Sequence, residues 1–224
     1  TITMCIMKNI LFAGLMLFFS CMKGEAQSSA KKKFPEFPKY TVFSAGDDNV
    51  NSYRIPSLLT AKDGSLLVFC EARRESWKDK SRTDIVVKRS TDNGRTWSAM
   101  QDLTQGTTGA YMDPTPLLDS ARIFLFTTFW PADDHTGTKN RAILLTSDDN
   151  GCTWAAPVDV TGTLMPKGSR IYGFGPGAGL QMVGEKYRGR LILPARVSEV
   201  TGEKAHDVAI YSDNHGKTWK MGGN

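Results

Sequence analysis

The sequence predicts an all-β fold built from propeller blades. Three observations carry that expectation. Short apolar or β-branched runs bounded by turn residues follow one another from about residue 40 onward, and no stretch sustains a 3.6-residue apolar period. An eight-residue element occurs three times, as STDNGRTW at 90–97, SDDNGCTW at 147–154 and SDNHGKTW at 212–219, each directly after such a run. The first serines of these elements stand 57 and 65 residues apart. A period near 50 residues in an all-β chain is that of small antiparallel blades.

The expected strands, in order, are 65–70 (SLLVFC), 85–88 (IVVK), 123–128 (IFLFTT), 142–146 (AILLT), 191–194 (LILP) and 208–211 (VAIY). Asp63-Gly64 suits a tight hairpin turn before the first copy of the repeat. In the repeat itself, Asp92, Asp149 and Asn214 can accept hydrogen bonds from backbone N–H groups across the turn. The glycine two residues later can take positive φ. Trp97, Trp154 and Trp219 can bury a ring against the sheet and pin the turn. This is a scaffold, not a metal loop, because the bidentate Glu of a calcium loop is missing. His135, His206 and His215 have no metal-like spacing either.

Length and composition suit a folded globular chain: 224 residues, 40% hydrophobic and 23% charged. The formal net charge of +5 is spread without a basic stripe, which argues against a nucleic-acid partner and is compatible with an anionic substrate. Residues 1–26 read as a signal peptide, with Lys8 before an apolar run at 10–19. Export to the periplasm or medium is expected. Cleavage after Gly24-Glu25-Ala26 is favoured over lipid attachment at Cys21. Residues 27–38 read as a linker and 39–224 as the folded domain, without an apolar run long enough to span a membrane. Cys70 and Cys152 make no disulfide framework.

The repeat resembles the Asp-box, Ser-x-Asp-x-Gly-x-Thr-Trp, found in sialidases and other propeller proteins. The first two copies match at every specified position; the third has Asn214 in place of Asp. Residues 53–58 (YRIPSL) resemble the sialidase Arg-Ile-Pro motif, and 71–79 (EARRESWKD) the motif that follows it. Residues 112–116 (MDPTP), Gly175-Pro176-Gly177 and Leu193-Pro194-Ala195-Arg196 also resemble family segments. On this ordered set, over about 40–219, the chain is identified as a member of the bacterial exo-sialidase family. The resemblance implies a six-bladed β-propeller, of which three boxes describe about the first three to four blades. It implies that Arg54 is one of three arginines clamping the substrate carboxylate. Arg73 would contact the 4-hydroxyl side, Met112 and Asp113 would line the N-acyl and 4-hydroxyl parts of the pocket, and Asp79 would be the acid/base.

The implied activity is retaining hydrolysis of terminal α-linked sialic acid from glycans, with no metal and no cofactor. The chemistry fits: a guanidinium is planar, permanently charged and offers paired donors to a carboxylate. Asp79, between Lys78 and Lys80, needs a loop that shields it from water, to which Trp77 could contribute. The family's nucleophilic Tyr, its Glu and the two other clamp arginines belong to later blades and match nothing here. The chain is therefore expected to be the N-terminal part of such an enzyme, inactive alone. For Tyr172, Phe129 and Trp130, packing in the core is favoured over lining the pocket rim. A non-catalytic Asp-box propeller that binds glycans is disfavoured by Arg54 together with Asp79. A trans-sialidase would carry the same residues.

Overall fold

The computed structural model describes residues 2–5, 37–106, 108–200 and 204–222. The expected signal-peptide core at 10–19, Cys21 and most of the linker lie outside them. Residues 2–5 form β1 (Ile2–Cys5), paired antiparallel with β2 (Lys39–Phe43).

Three antiparallel units follow. The first comprises β3 (Ser52–Thr60), β4 (Leu66–Arg73), β5 (Thr83–Ser90) and β6 (Gln101–Asp102). The second comprises β7 (Ala110–Asp119), β8 (Arg122–Trp130), β9 (Arg141–Ser147) and β10 (Val158–Asp159). One parallel bridge, Thr83 to Ala110, joins them. After a single helical turn, α1 (Thr161–Leu164), comes the third unit. It holds β11 (Ser169–Phe174), β12 (Leu180–Gln181), β13 (Leu191–Glu199), β14 (Ala205–Ser212) and β15 (Lys220–Gly222), with β11 and β12 pairing opposite ends of β13. The turn at Asp63-Gly64 closes the β3–β4 hairpin, with Asp63 Oδ1 accepting from Ser65 N–H at 3.0 Å.

The six expected strands are β4, β5, β8, β9, β13 and β14, the second and third of each unit. Sequence patterning misses the first strands, β3, β7 and β11. Pro56 interrupts β3, and Pro114 and Pro116 interrupt β7, so both read as breaks. The structure accommodates the prolines at bulges. Pairing slips between Arg54 and Ser57, between Met112 and Thr115, and between Ile171 and Gly173. All three first strands therefore kink partway along.

Strand alternation divides the core into layers between the units. On β4, Leu67 and Phe69 face the second unit, where they meet Ile123, Leu125, Ile143 and Leu145. Val68, Cys70 and Ala72 face the other way, toward Val42 and Phe43 of β2. On β8, Phe124 and Phe126 join Leu191, Leu193, Ala195 and Val197 of β13. Both faces of β4 and β8 are thus covered, and that is why they read as continuous apolar runs, whereas β13 is covered on one face.

The eight-residue turns sit at these layers. Leu66, Ile123 and Leu191 each pair with the first serine of a repeat, which makes Leu67 and Phe124 equivalent positions. Trp154 meets Phe69 edge-on at 5.5 Å, and Trp219 meets Phe126 at 4.9 Å. Trp97 packs on the layer that contains Val42 and Phe43. The rings are buried against sheet, as expected, and for Trp154 and Trp219 that sheet is the one of the preceding unit. Gly151, at φ 80°, lies so close to Leu67 that a Cβ there would come within 2.0 Å of Cδ2. On β13 the equivalent positions, Ile192 and Pro194, line an open groove with Leu180 and Val208.

Inside the turns, Asp92 Oδ1 accepts from Thr96 N–H at 2.9 Å and Oδ2 from the Thr96 hydroxyl at 2.7 Å. Asp149 repeats this with Thr153 at 2.9 and 2.6 Å. Asn214 Oδ1 accepts from Thr218 N–H at 2.9 Å, while its amide donates to the Thr218 hydroxyl at 2.8 Å. The amide reverses one donor and keeps the turn.

Candidate active site

The site grows from the end of β4. Period-two alternation puts Glu71 and Arg73 on the same face, beyond Leu67 and Phe69. Both side chains are sealed, Glu71 at 0% and Arg73 at 1% exposure. Arg73 Nε and Nη2 both donate to Glu71 Oε2, at 3.0 and 2.7 Å. Arg73 Nη1 donates to the Trp77 carbonyl at 2.5 Å and lies 2.7 Å from Asp79 Oδ1. The same Asp79 oxygen accepts from Arg54 Nη1 at 3.0 Å. One carboxylate thus bridges two guanidiniums, one buried and one 44% exposed.

The bulge on β3 aims Arg54. Ile55 sits at φ 51°, a region that costs a β-branched residue about 1–3 kcal/mol. The surroundings hold it there: Pro56 fixes the next φ, and the Cys70 thiol donates to the Arg54 carbonyl at 2.9 Å. The bulge on β7 aims Asp113, which lies at φ 59°. Its N–H donates to Glu71 Oε1 at 3.0 Å, so Glu71 ties the Arg73 guanidinium to the second unit. Burial pushes the Glu71 carboxyl up from its ordinary value, opposed by the Asp113 N–H and by Arg73. We take Glu71 as ionised, because three donors converge on it.

Asp113 borders a cavity of about 190 Å³ with Asp79, Met112, Trp130, Tyr172 and Arg196. Burial, with the Glu71 charge beside it, raises the Asp113 pKa to about 7, against the pull of Arg196. Its carboxyl lies against β11, where a Cβ on Gly173 would stand 2.9 Å from Oδ2. Glycine makes that approach open. Arg74, the neighbour of Arg73 in sequence, turns away and is held by Asp84 and Asp102.

Of the five residues expected to act on substrate, Asp79, Met112 and Asp113 border the cavity, while Arg54 and Arg73 stand behind Asp79 and reach the site through its carboxylate, Arg73 being sealed. No Asp-box residue lines the cavity. Tyr172 lines it with an exposed ring, so the core packing expected for it is corrected; Trp130 lines it too but stays buried, as expected, and Phe129 packs on Tyr111 at 4.7 Å. A bulge at Tyr172 turns its ring outward, and the strand end at Trp130 exposes one edge. Sequence reasoning missed Glu71, Lys80 and Arg196 as site residues. Glu71 was legible from its two-residue offset to Arg73, and Arg196 from the LPAR segment. Asp79 is 64% exposed and Trp77 is exposed too, so no shield covers Asp79 in this state. Among the described residues, no group of three His, Cys, Asp or Glu side chains is arranged to hold a metal ion.

Fold and site define an all-β chain of Asp-box units with an arginine-flanked, carboxylate-bearing cavity. Residues 55–224 match the BNR repeat-like domain, and the chain belongs to that family. It is 32% identical to a sialidase of Paraclostridium sordellii over 203 residues, covering 82% of this chain and 50% of that protein. A sialidase of Clostridium perfringens is 31% identical, covering 83% and 53%. Among solved structures, the Hadza microbial sialidase Hz136 superposes with a TM-score of 0.73 at 28% identity, covering 85% of this chain and 42% of its own. The chain spans about half the length of the curated relatives it matches.

Proposed function

We propose that this chain supplies the acid-bearing half of an exo-sialidase that hydrolyses terminal α-linked sialic acid from glycoconjugates with retention. The observation that carries the proposal is the Asp79 carboxylate held between Arg54 and Arg73 at the cavity mouth, at 3.0 and 2.7 Å. Arg54 offers an exposed guanidinium to the substrate carboxylate. A carboxylate arriving there takes over that cation and frees Asp79 to turn toward the leaving oxygen. Once it has taken up a proton from solvent, Asp79 gives that proton to the leaving oxygen as general acid and returns to the carboxylate. Asp113, with a pKa near 7, meets the 4-hydroxyl as donor or acceptor, and Arg73, locked by Glu71 and covered by Asp79, turns a donor toward the same side only once Asp79 swings away. Met112 faces the N-acyl group. Sialidases use a Tyr nucleophile where other retaining glycosidases use a carboxylate. The sialidase similarity at about 30% identity supports this reading, as does the open groove at Ile192 and Pro194, a seat for a further blade of a six-bladed propeller. Export through the 1–26 segment belongs to the same proposal.

The decisive experiment is Asp79→Asn in the enzyme that carries these residues, assayed on sialosides with poor leaving groups. Hydrolysis should fall by roughly 10²–10⁴-fold. Undiminished turnover would remove Asp79 from the acid role.

A further inference from the structure

We propose that Lys80 is a positioning residue that anchors the Asp79 loop over the cavity by docking on Trp130. The inference rests on the acid role proposed for Asp79. Four side chains form a continuous wall along the cavity rim. Lys80 Nζ stands 4.2 Å from the centre of the Trp130 ring, and Trp130 meets Tyr172 edge-on at 6.0 Å. The Arg196 guanidinium lies 5.7 Å from the centre of the Tyr172 ring. Cations and rings alternate along this row, and it crosses all three units: the loop after β4, the end of β8, then β11 and β13. All four residues border the cavity.

Two features single out Lys80. Its backbone sits at φ 63°, a left-handed conformation that a lysine adopts only when its surroundings impose it. The ammonium over an indole face is such a restraint, and Trp is the strongest of the aromatic partners. The residue before it is Asp79. With Lys80 fixed on the second unit, Asp79 keeps its place when substrate takes Arg54. The other ties of the loop stay within the first unit: Arg73 holds Asp79, the Thr83 hydroxyl donates to the Ser81 carbonyl at 2.7 Å, and the Ser81 hydroxyl donates to the Ser76 and Lys78 carbonyls. Trp130 is an effective anchor because it is only 9% exposed.

The test compares Lys80→Gln, Lys80→Arg and Asp79→Asn in the enzyme that carries these residues, on sialyllactose and on an aryl sialoside whose phenol leaves without protonation. A misplaced acid costs rate only where the leaving group needs a proton. Lys80→Gln should lower kcat on sialyllactose roughly tenfold, leave the aryl sialoside within about twofold, and hardly change KM. Lys80→Arg, which keeps the cation, should restore the rate. Equal losses on both substrates, or none, overturn the proposal while the Asp79 assignment stands on its own variant. An Asp79→Asn enzyme with no leaving-group dependence overturns both. A readout independent of turnover is trypsin cleavage after Lys78 in the folded protein. It should accelerate in Lys80→Gln and in Trp130→Leu, and unchanged cleavage in both would also overturn the anchor.

Discussion

Glu71 and Arg73, two residues apart on β4, form an ion pair with no water access, both Nε and Nη2 of the arginine converging on one glutamate oxygen. The other oxygen holds the Asp113 N–H on the next unit. The pair is both the support of the site and a seam between units. Removing one member of a sealed pair leaves the other charge uncompensated. Glu71→Ala should therefore destabilise the protein by about 3–5 kcal/mol. Glu71→Gln, which keeps an acceptor, should cost less. Urea midpoints compare the two; equal, small losses would show that the seam carries little stability.

The contact of Gly151 with Leu67 predicts a second effect. Gly151→Ala forces an alanine into positive φ and drives its methyl into Leu67. Together these should cost about 2–4 kcal/mol. Gly64 has a similar φ of 84° but open space around it, so Gly64→Ala should show only the backbone part, about 1–2 kcal/mol. If thermal melts place the two variants together, the turn does not bear on Leu67 as described.

Asp113 predicts a pH dependence. Its pKa is raised in the folded state to about 7, so between about pH 4 and 7 the folded protein binds the proton more tightly than the unfolded one. Its contribution to stability is complete below about pH 4 and is lost as pH rises through 7. Asp113→Asn should flatten that fall and raise Tm above pH 7, by roughly 2–4 °C for each kcal/mol recovered. Melting curves from pH 4 to 8 read the slope directly. A wild-type slope that persists in Asp113→Asn would locate its source elsewhere.

The Asp-boxes predict the opposite sign. Thr96 N–H and hydroxyl donors hold Asp92 at about 2, and those of Thr153 hold Asp149 at about 2. Their stabilisation is present above about pH 4 and is lost as pH falls through about 2. The third box closes on the Asn214 amide, which does not titrate. Replacing Asp92 and Asp149 together by Asn should lower stability at pH 7 modestly, because the ionised carboxylate's contribution is gone, and should abolish the acid-dependent loss between pH 4 and 2. Denaturant midpoints across that range decide it.

Much of this was legible in the sequence. Second and third strands were readable from their short apolar runs, continuous on β4 and β8 because both faces are covered, and the repeat fixed their order. Arg54, Arg73, Asp79, Met112 and Asp113 were legible by resemblance alone, since nothing in their local patterning marks them as a group. First strands were hidden by prolines that locally argue against a sheet. Tyr172 looked like core, because ring size indicates burial unless a bulge turns the ring outward.

By itself the sequence determined the strand alternation, the three turns and their spacing, because these depend on residue type and short-range geometry. The tertiary structure decided what those turns hold. It put Trp154 and Trp219 on the unit before their own, and it kinked the first strands at Arg54, Asp113 and Tyr172. It also set Asp79 between two arginines and Lys80 on Trp130. The Lys80–Trp130 contact joins residues on different units, which only the stacking of one sheet on the next brings within reach, while Arg54, Arg73 and Asp79 meet within the first unit because a strand bulge and a loop fold back on the end of β4.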